Sequence, residues 1–316
     1  MSLFPRRRAG SPKDNPIEAE GRGDRMAGET IGFAGLGLMG SRMAARLLDE
    51  GWDLVVWNRS PGNAGELVAA GAKEASSPAE LAATADIVVS MVADDEALEN
   101  VFLGNDGVLS AMAPGGLIIE MSTTSITATA ALAEAAARTD IAVVDAPVFG
   151  STEPARTGGL IVVVGGADAD VERARPVLAS LGSEVTHLGP VGAGSAMKLA
   201  GNSIGAGTTA LVAEALAFGT AAGLDGHQML EVMAQCGFNS ALLQNRGAAA
   251  LDERFEPGWP VKHVVKDLGL AHAAAAEHGV TMRAVECARA DYEAAVVAGY
   301  RDADAAAVVK GVKREG

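Results

Sequence analysis

Lys198 and Asn202 stand four residues apart in Gly192-Ala193-Gly194-Ser195-Ala196-Met197-Lys198-Leu199-Ala200-Gly201-Asn202, a spacing that sets both side chains on one helical face. A lysine inside an otherwise apolar helix is costly unless it is paired or used. Its ammonium can give a proton to a carbonyl oxygen, and partial burial lowers its pKa toward the range of a useful general acid. Asn202 can hold the same oxygen or orient the lysine. From these residues alone, a structural ion pair accounts for Lys198 equally well.

A second constellation is Gly35-Leu36-Gly37-Leu38-Met39-Gly40, which matches G-x-G-x-x-G. The string is weak by itself, but here it follows an apolar run ending at Ala34 and opens a helical pattern through Met43, Ala44, Leu47 and Leu48. In that setting the glycines let backbone amides approach a pyrophosphate at a helix N-terminus. About 20 residues on, where an NAD-binding unit carries an acid for the adenosine ribose, the chain reads Asn58-Arg59-Ser60. An amide has replaced the carboxylate, and a guanidinium follows that can fork onto a 2′-phosphate. NADP(H) is therefore expected in preference to NAD(H), the alternative being a solvated turn arginine. Met91 and Val92, closing another candidate strand, are expected beside the same nucleotide.

These groups need elements to hold them. β-branched runs at 30–35, 53–57, 86–92, 117–121, 141–145, 160–165 and 184–188 alternate with Ala-rich amphipathic stretches, the pattern of a parallel sheet covered by helices on both faces. After Gly189-Pro190 the strand signal stops and the rest reads helical, with breaks near Gly223, Gly237, Pro257 to Pro260, Gly279 and Gly299. The expected fold class is α/β: a Rossmann-type doubly wound sheet followed by an all-α C-terminal domain, joined by a long interdomain helix. The domains are expected at 29–190 and 191–316, behind a disordered extension at 1–28. The helix near 192–222 is rich in Gly, Ala and Thr and carries Lys198, Asn202 and Glu214, which argues for a crowded spine between domains or subunits and against a membrane span.

Composition narrows the function classes. At 316 residues two domains are expected, and 49% hydrophobic with only 4% aromatic content means that aliphatic residues fill the cores. With 25 Lys plus Arg against 40 Asp plus Glu, the net charge of −15 opposes a nucleic-acid partner. A few placed cations can still bind a phosphorylated cofactor, because the diffuse field is screened within about 10 Å. Cys236 and Cys287 make no C-x-x-C pair and the five histidines no H-E-x-x-H, so no metal and a reducing, cytoplasmic compartment are expected. Arg6-Arg7-Arg8 has no apolar stretch behind it and reads as neither a secretory nor a twin-arginine signal, and Met26 just before the first strand suggests an alternative start.

Taken in order, the glycine loop with Met39, Met43 and Ala44, the Trp57-Asn58-Arg59 strand end, Met121-Ser122-Thr123, Asp145-Ala146-Pro147-Val148 and the G-x-G-x-x-x-K-x-x-x-N stretch resemble the β-hydroxyacid dehydrogenase family. Trp259-Pro260-Val261-Lys262-His263 with Lys266-Asp267-Leu268, and Gly150-Ser151-Thr152-Glu153-Pro154-Ala155, are similar to stretches of its glyoxylate/succinic semialdehyde reductases. The resemblance implies hydride transfer between NADPH and a small aldehyde or keto acid, or the reverse oxidation of a β- or γ-hydroxyacid. By it, Lys198 is the proton donor and Asn202 its partner. Ser122, Thr123, Gly150, Ser151, Trp259 and Asp267 line the substrate pocket, and Thr123 and Lys266 also border the cofactor. Phe149, also expected in the substrate pocket, departs from the pattern: the family usually has a serine there, so a hydroxyl donor for the substrate carboxylate is exchanged for an apolar ring. That leaves two readings, a carboxylate held by the Gly150 and Ser151 amides or a pocket that Phe149 shrinks or suits to a less polar substrate. An imine reductase on the same fold and a non-catalytic NADP(H)-binding module are the rival readings; Lys198 opposes the first, and Lys198 with Asn202 the second. A homodimer or homotetramer is also implied.

Overall fold

A computed structural model describes residues 28–312; the expected extension at 1–28 lies almost wholly outside them. Nine strands form one sheet in the order β3-β2-β1-β4-β5-β6-β8-β7, with β9 also paired to β8. The strands are β1 (Thr30–Ala34), β2 (Asp53–Trp57), β3 (Lys73–Glu74), β4 (Ile87–Ser90), β5 (Leu117–Glu120), β6 (Ala142–Asp145), β7 (Val148–Phe149), β8 (Leu160–Gly165) and β9 (Gly182–Gly189). β1 through β6 pair in parallel, while β7 runs antiparallel to β8. The order reverses between β1 and β4, which opens a crevice at their C-terminal ends, where ligands of such sheets bind.

The continuous apolar runs have the expected cause. Ile31, Phe33, Ile87, Val89, Leu117 and Ile119 feed a core on one face of the sheet, and Ala34, Val88 and Ile118 feed a second core on the other. Two strands had no signal in the sequence, β3 and β7, each only two residues long and therefore without a readable period.

Beyond Gly189 every regular element is helical among the described residues. The interdomain helix Ala193–Ala221 runs 29 residues, about 44 Å. By length and composition it could cross a membrane, but Ala206, Ala210 and Ala213 pack into a third core with Val261, Val264, Leu268 and Tyr292 from the helices Val261–Glu277 and Arg283–Val297. Its N-terminus is anchored by the Rossmann domain: the fully buried Asp145, at the end of β6, accepts from the N–H groups of Gly192 and Ser195, both at 2.7 Å. That carboxylate fixes where Lys198, one turn further on, enters the space between the domains.

Candidate active site

The glycine loop sits at the sheet's switch point and shows why glycine is used. Gly35 has φ +100°, and a Cβ there would lie 2.3 Å from the Met91 carbonyl oxygen; one at Gly40 would lie 1.9 Å from that of Gly35. A Cβ at Gly37 would meet nothing within 4 Å, so that position opens toward the cleft. The following helix, Gly40–Asp49, has no side-chain cap at its N-terminus, which suits an incoming anion. The loop therefore fits a dinucleotide. Asn58 at the end of β2 braces it: Oδ1 accepts from Leu36 N at 2.8 Å, and Nδ2 donates to the Ser60 carbonyl at 2.9 Å. Asn63, which the sequence did not single out, donates to the Leu36 carbonyl at 3.2 Å. Arg59 is exposed and makes no ion pair among the described residues.

A cleft of about 680 Å³ runs from this loop to the helical domain, a size that suits a small ligand. Gly37, Leu38, Met39, Gly40, Met91, Val92 and Thr123 line it from the Rossmann side with Phe149, Gly150 and Ser151; Lys198, Asn202, Trp259, Lys266 and Asp267 line it from the other. Ser122 does not reach it. It is 1% exposed, its Oγ accepts from Val92 N at 2.7 Å, and its own N–H donates to Glu120, so the expected substrate contact is corrected to a brace behind the cofactor wall. Gly35, Leu36, Asn58, Arg59 and Ser60 also stay off the cleft surface, the first two and Asn58 shaping the loop from behind.

Lys198, Gly201, Asn202 and Gly205 reach the cleft at i, i+3, i+4 and i+7 of the interdomain helix. Asn202 Nδ2 donates to Asp267 Oδ2 at 2.8 Å, and Trp259 Nε1 donates to the same oxygen at 3.2 Å. Asp267 is 3% exposed, and Lys266 Nζ stands 3.0 Å from its other oxygen. Lys266 Nζ also donates to the Thr123 carbonyl, closing the cleft from the helical domain onto the Rossmann domain. Burial lowers the Lys198 pKa to about 8; Asp267 works against this and Lys266 with it. Burial likewise holds the His263 imidazole below its ordinary pKa, and Lys266 adds to the effect. Lys198 is thus an ammonium that can part with its proton near neutral pH.

Sequence reasoning missed Arg246, Asp304 and Leu242 in the cleft, and gave His263 no part in it. Arg246 pairs with Asp304, whose Oδ2 also accepts from Gly258 N at 3.1 Å and Trp259 N at 3.0 Å. No spacing could have linked residues 58 positions apart. The available signal was a lone arginine in the otherwise uncharged helix Ala241–Leu251. Among the described residues, no group of three or more His, Cys, Asp or Glu side chains is placed to hold a metal.

Comparison with known proteins agrees with this geometry. Residues 30–189 match the family described as the NAD binding domain of 6-phosphogluconate dehydrogenase, and residues 192–312 match that described as the NAD-binding of NADP-dependent 3-hydroxyisobutyrate dehydrogenase. The chain is 33% identical over 290 residues to glyoxylate/succinic semialdehyde reductase 2, chloroplastic, of Arabidopsis thaliana, covering 92% of this chain and 81% of that protein. It is 35% identical over 289 residues to the NAD-dependent L-serine dehydrogenase of Pseudomonas aeruginosa, covering 89% and 96%. The solved 3-hydroxyisobutyrate dehydrogenase of Mycobacterium tuberculosis with L-serine superposes with a TM-score of 0.83 at 30% identity, covering 90% of this chain and 99% of that one. With both halves matched by these families and relatives, the chain belongs to the β-hydroxyacid dehydrogenase family and is an NAD(P)-dependent oxidoreductase acting on hydroxyl groups.

Proposed function

We propose that the enzyme reduces small aldehyde or keto acids with NADPH, and oxidises the matching β- or γ-hydroxyacids in reverse, with Lys198 moving the proton at the reacting oxygen. The observation that carries this reading is Lys198 itself, half-buried in the cleft that starts at the glycine loop, with a pKa near 8. When bound, the nicotinamide nucleotide supplies hydride to the carbonyl carbon or takes it from the alcohol. Lys198 gives the oxygen its proton in one direction and accepts it in the other. Asn202, held by Asp267, orients that oxygen, and the Lys266 contact to Thr123 helps exclude water.

The charges support an acidic substrate. Lys198, Arg246 and Lys266 line the cleft against Asp267 and Asp304, a net positive site in a chain of net charge −15. Thr123, the Gly150-Ser151 amides and Trp259 complete the substrate surface. Purified enzyme should consume NADPH with one or more of glyoxylate, succinic semialdehyde, tartronate semialdehyde and methylmalonate semialdehyde, in preference to uncharged aldehydes. Turnover of uncharged carbonyls alone would overturn the substrate class, and turnover of imines alone would favour the rival enzyme.

Preference for NADP(H) rests on Arg59 and on Asn58, which puts no carboxylate where a 2′-phosphate would lie. Arg59→Asp should raise the NADPH KM about tenfold or more while leaving NADH less affected; equal effects on both would sink the preference. A second copy is the expected partner. Met197, Ile204, Leu211 and Phe218 recur every seven residues along the interdomain helix and are 42%, 70%, 66% and 76% exposed, an apolar stripe that self-association would cover. Light scattering giving the mass of a monomer would refute it.

A further inference from the structure

Phe149 is carried by a rigid element. Its backbone pairs with Ile161 across β7 and β8, and Gly150, with φ +138°, turns the chain directly after it. The ring reaches the interdomain helix at Gly201, where an added Cβ would lie 2.5 Å from both Cε1 and Cζ, closer than any real contact of that kind. Three residues earlier on the same helix, Lys198 Nζ stands 4.5 Å from the ring centroid, within range of a cation–π interaction.

We infer that Phe149 is a positioning residue for Lys198: seated in the notch that Gly201 leaves in the helix, its ring holds the ammonium at the reacting end of the cleft. The role in turnover rests on the reading of Lys198 as the proton-moving group. A lysine has a long flexible stem, and small misplacements of a reacting group cost large factors in rate. The other groups facing Lys198 cannot fix it. Asp267 attracts it and Lys266 repels it, both from the helix Val261–Glu277. Arg246, His263 and Asp304 line the same cleft, and the Rossmann side contributes no charged side chain to the lining. A flat ring anchored on backbone at one side offers the ammonium a single resting place, and shields it from water at the same time.

The test is a double-mutant cycle with full-length protein: Gly201→Ala, Phe149→Ser and both together, read in kcat and in Tm, with Phe149→Leu as a fourth variant. With Phe149 present, Gly201→Ala should displace the ring, lower Tm and cost at least about tenfold in kcat. In the Phe149→Ser background the same change should cost less than about twofold in kcat and leave Tm nearly unmoved. Phe149→Leu keeps an apolar side chain but removes the π face, so Lys198 should titrate about half a pH unit lower. That titration is followed by NMR of 13C-lysine-labelled enzyme, with the Lys198 signal assigned by its loss in Lys198→Arg. Additive losses in the cycle, or an unmoved Lys198 titration in Phe149→Leu, would overturn the positioning role. Tm and NMR need no turnover, so they decide the contact even if Lys198→Ala retains activity, the outcome that would defeat the proton-donor reading instead.

Discussion

The two walls of the cleft are built on opposite principles. The Rossmann wall presents glycines, Met39, Met91, Val92 and Thr123, with no charged side chain, and works through backbone that has been allowed to come close. The helical wall brings Lys198, Arg246, Lys266, Asp267 and Asp304 together from four separate segments. A wall that recognises a pyrophosphate through main-chain amides tolerates little variation in where its glycines fall. A wall that does acid–base chemistry depends on side chains meeting across the fold, and on how far their neighbours and burial move their pKa values.

The sharpest break of this contrast is Lys198→Ala, which removes the ammonium that the proposed mechanism sets at the reacting oxygen and leaves the Rossmann wall whole. Loss of about 10² to 10⁴ in kcat with little change in the Kd for NADPH is expected; parallel losses in both would mean that the walls are not separable. The pH profile carries the same information with a sign. In the proposed mechanism reduction needs the ammonium, so its kcat should fall about tenfold per pH unit as pH rises above about 8, while oxidation, which needs the free amine, should rise as pH approaches the same value.

Asp267→Asn probes the charges of the helical wall one step back from the reaction. The amide oxygen can still accept from Asn202 and Trp259, but the charge that favours protonated Lys198 is gone. The limb of the reduction profile should move down by about one pH unit, with a loss of about twofold in kcat at pH 7 that approaches tenfold above pH 8. An unmoved limb would show that Asp267 acts through shape and not through charge.

How much of each wall could be read in the sequence follows from the same contrast. The loop at 35–40 was legible because its constraints are local: strand, glycines and helix lie side by side in the chain, and the close approach at Gly35 and Gly40 admits nothing larger. Lys198 and Asn202 were legible by helical spacing, while the roles of Trp259, Lys266 and Asp267 came through resemblance. The pairing of Arg246 with Asp304 was illegible because it is long-range, and the lone arginine of its helix gave no hint of its partner. Ser122 was misplaced because a sequence does not say which way a strand-end hydroxyl turns. Here it turns inward and accepts from Val92 N, away from the cleft.

The Rossmann wall is not free of titration, only of titration at its surface. Behind it Glu120 is fully buried, accepts from Ser122 N at 3.0 and 3.1 Å and from Ser90 Oγ at 3.3 Å, and has its pKa raised by burial to about 7. Unfolding restores an ordinary carboxylate, so between about pH 4.5 and 7 the folded chain binds the extra proton, and stability falls as pH rises across that window. Glu120→Gln keeps the acceptor for Ser122 N, can donate to Ser90 Oγ, and cannot ionise. Urea melts should show the variant losing most of this pH dependence and exceeding the parent by on the order of 3 kcal/mol at pH 8. Its kcat at neutral pH should change by less than about twofold, because the residue braces the cofactor wall from behind and touches nothing that reacts. A large loss of kcat with unaltered stability would place Glu120 in the chemistry after all and erase the division between the walls.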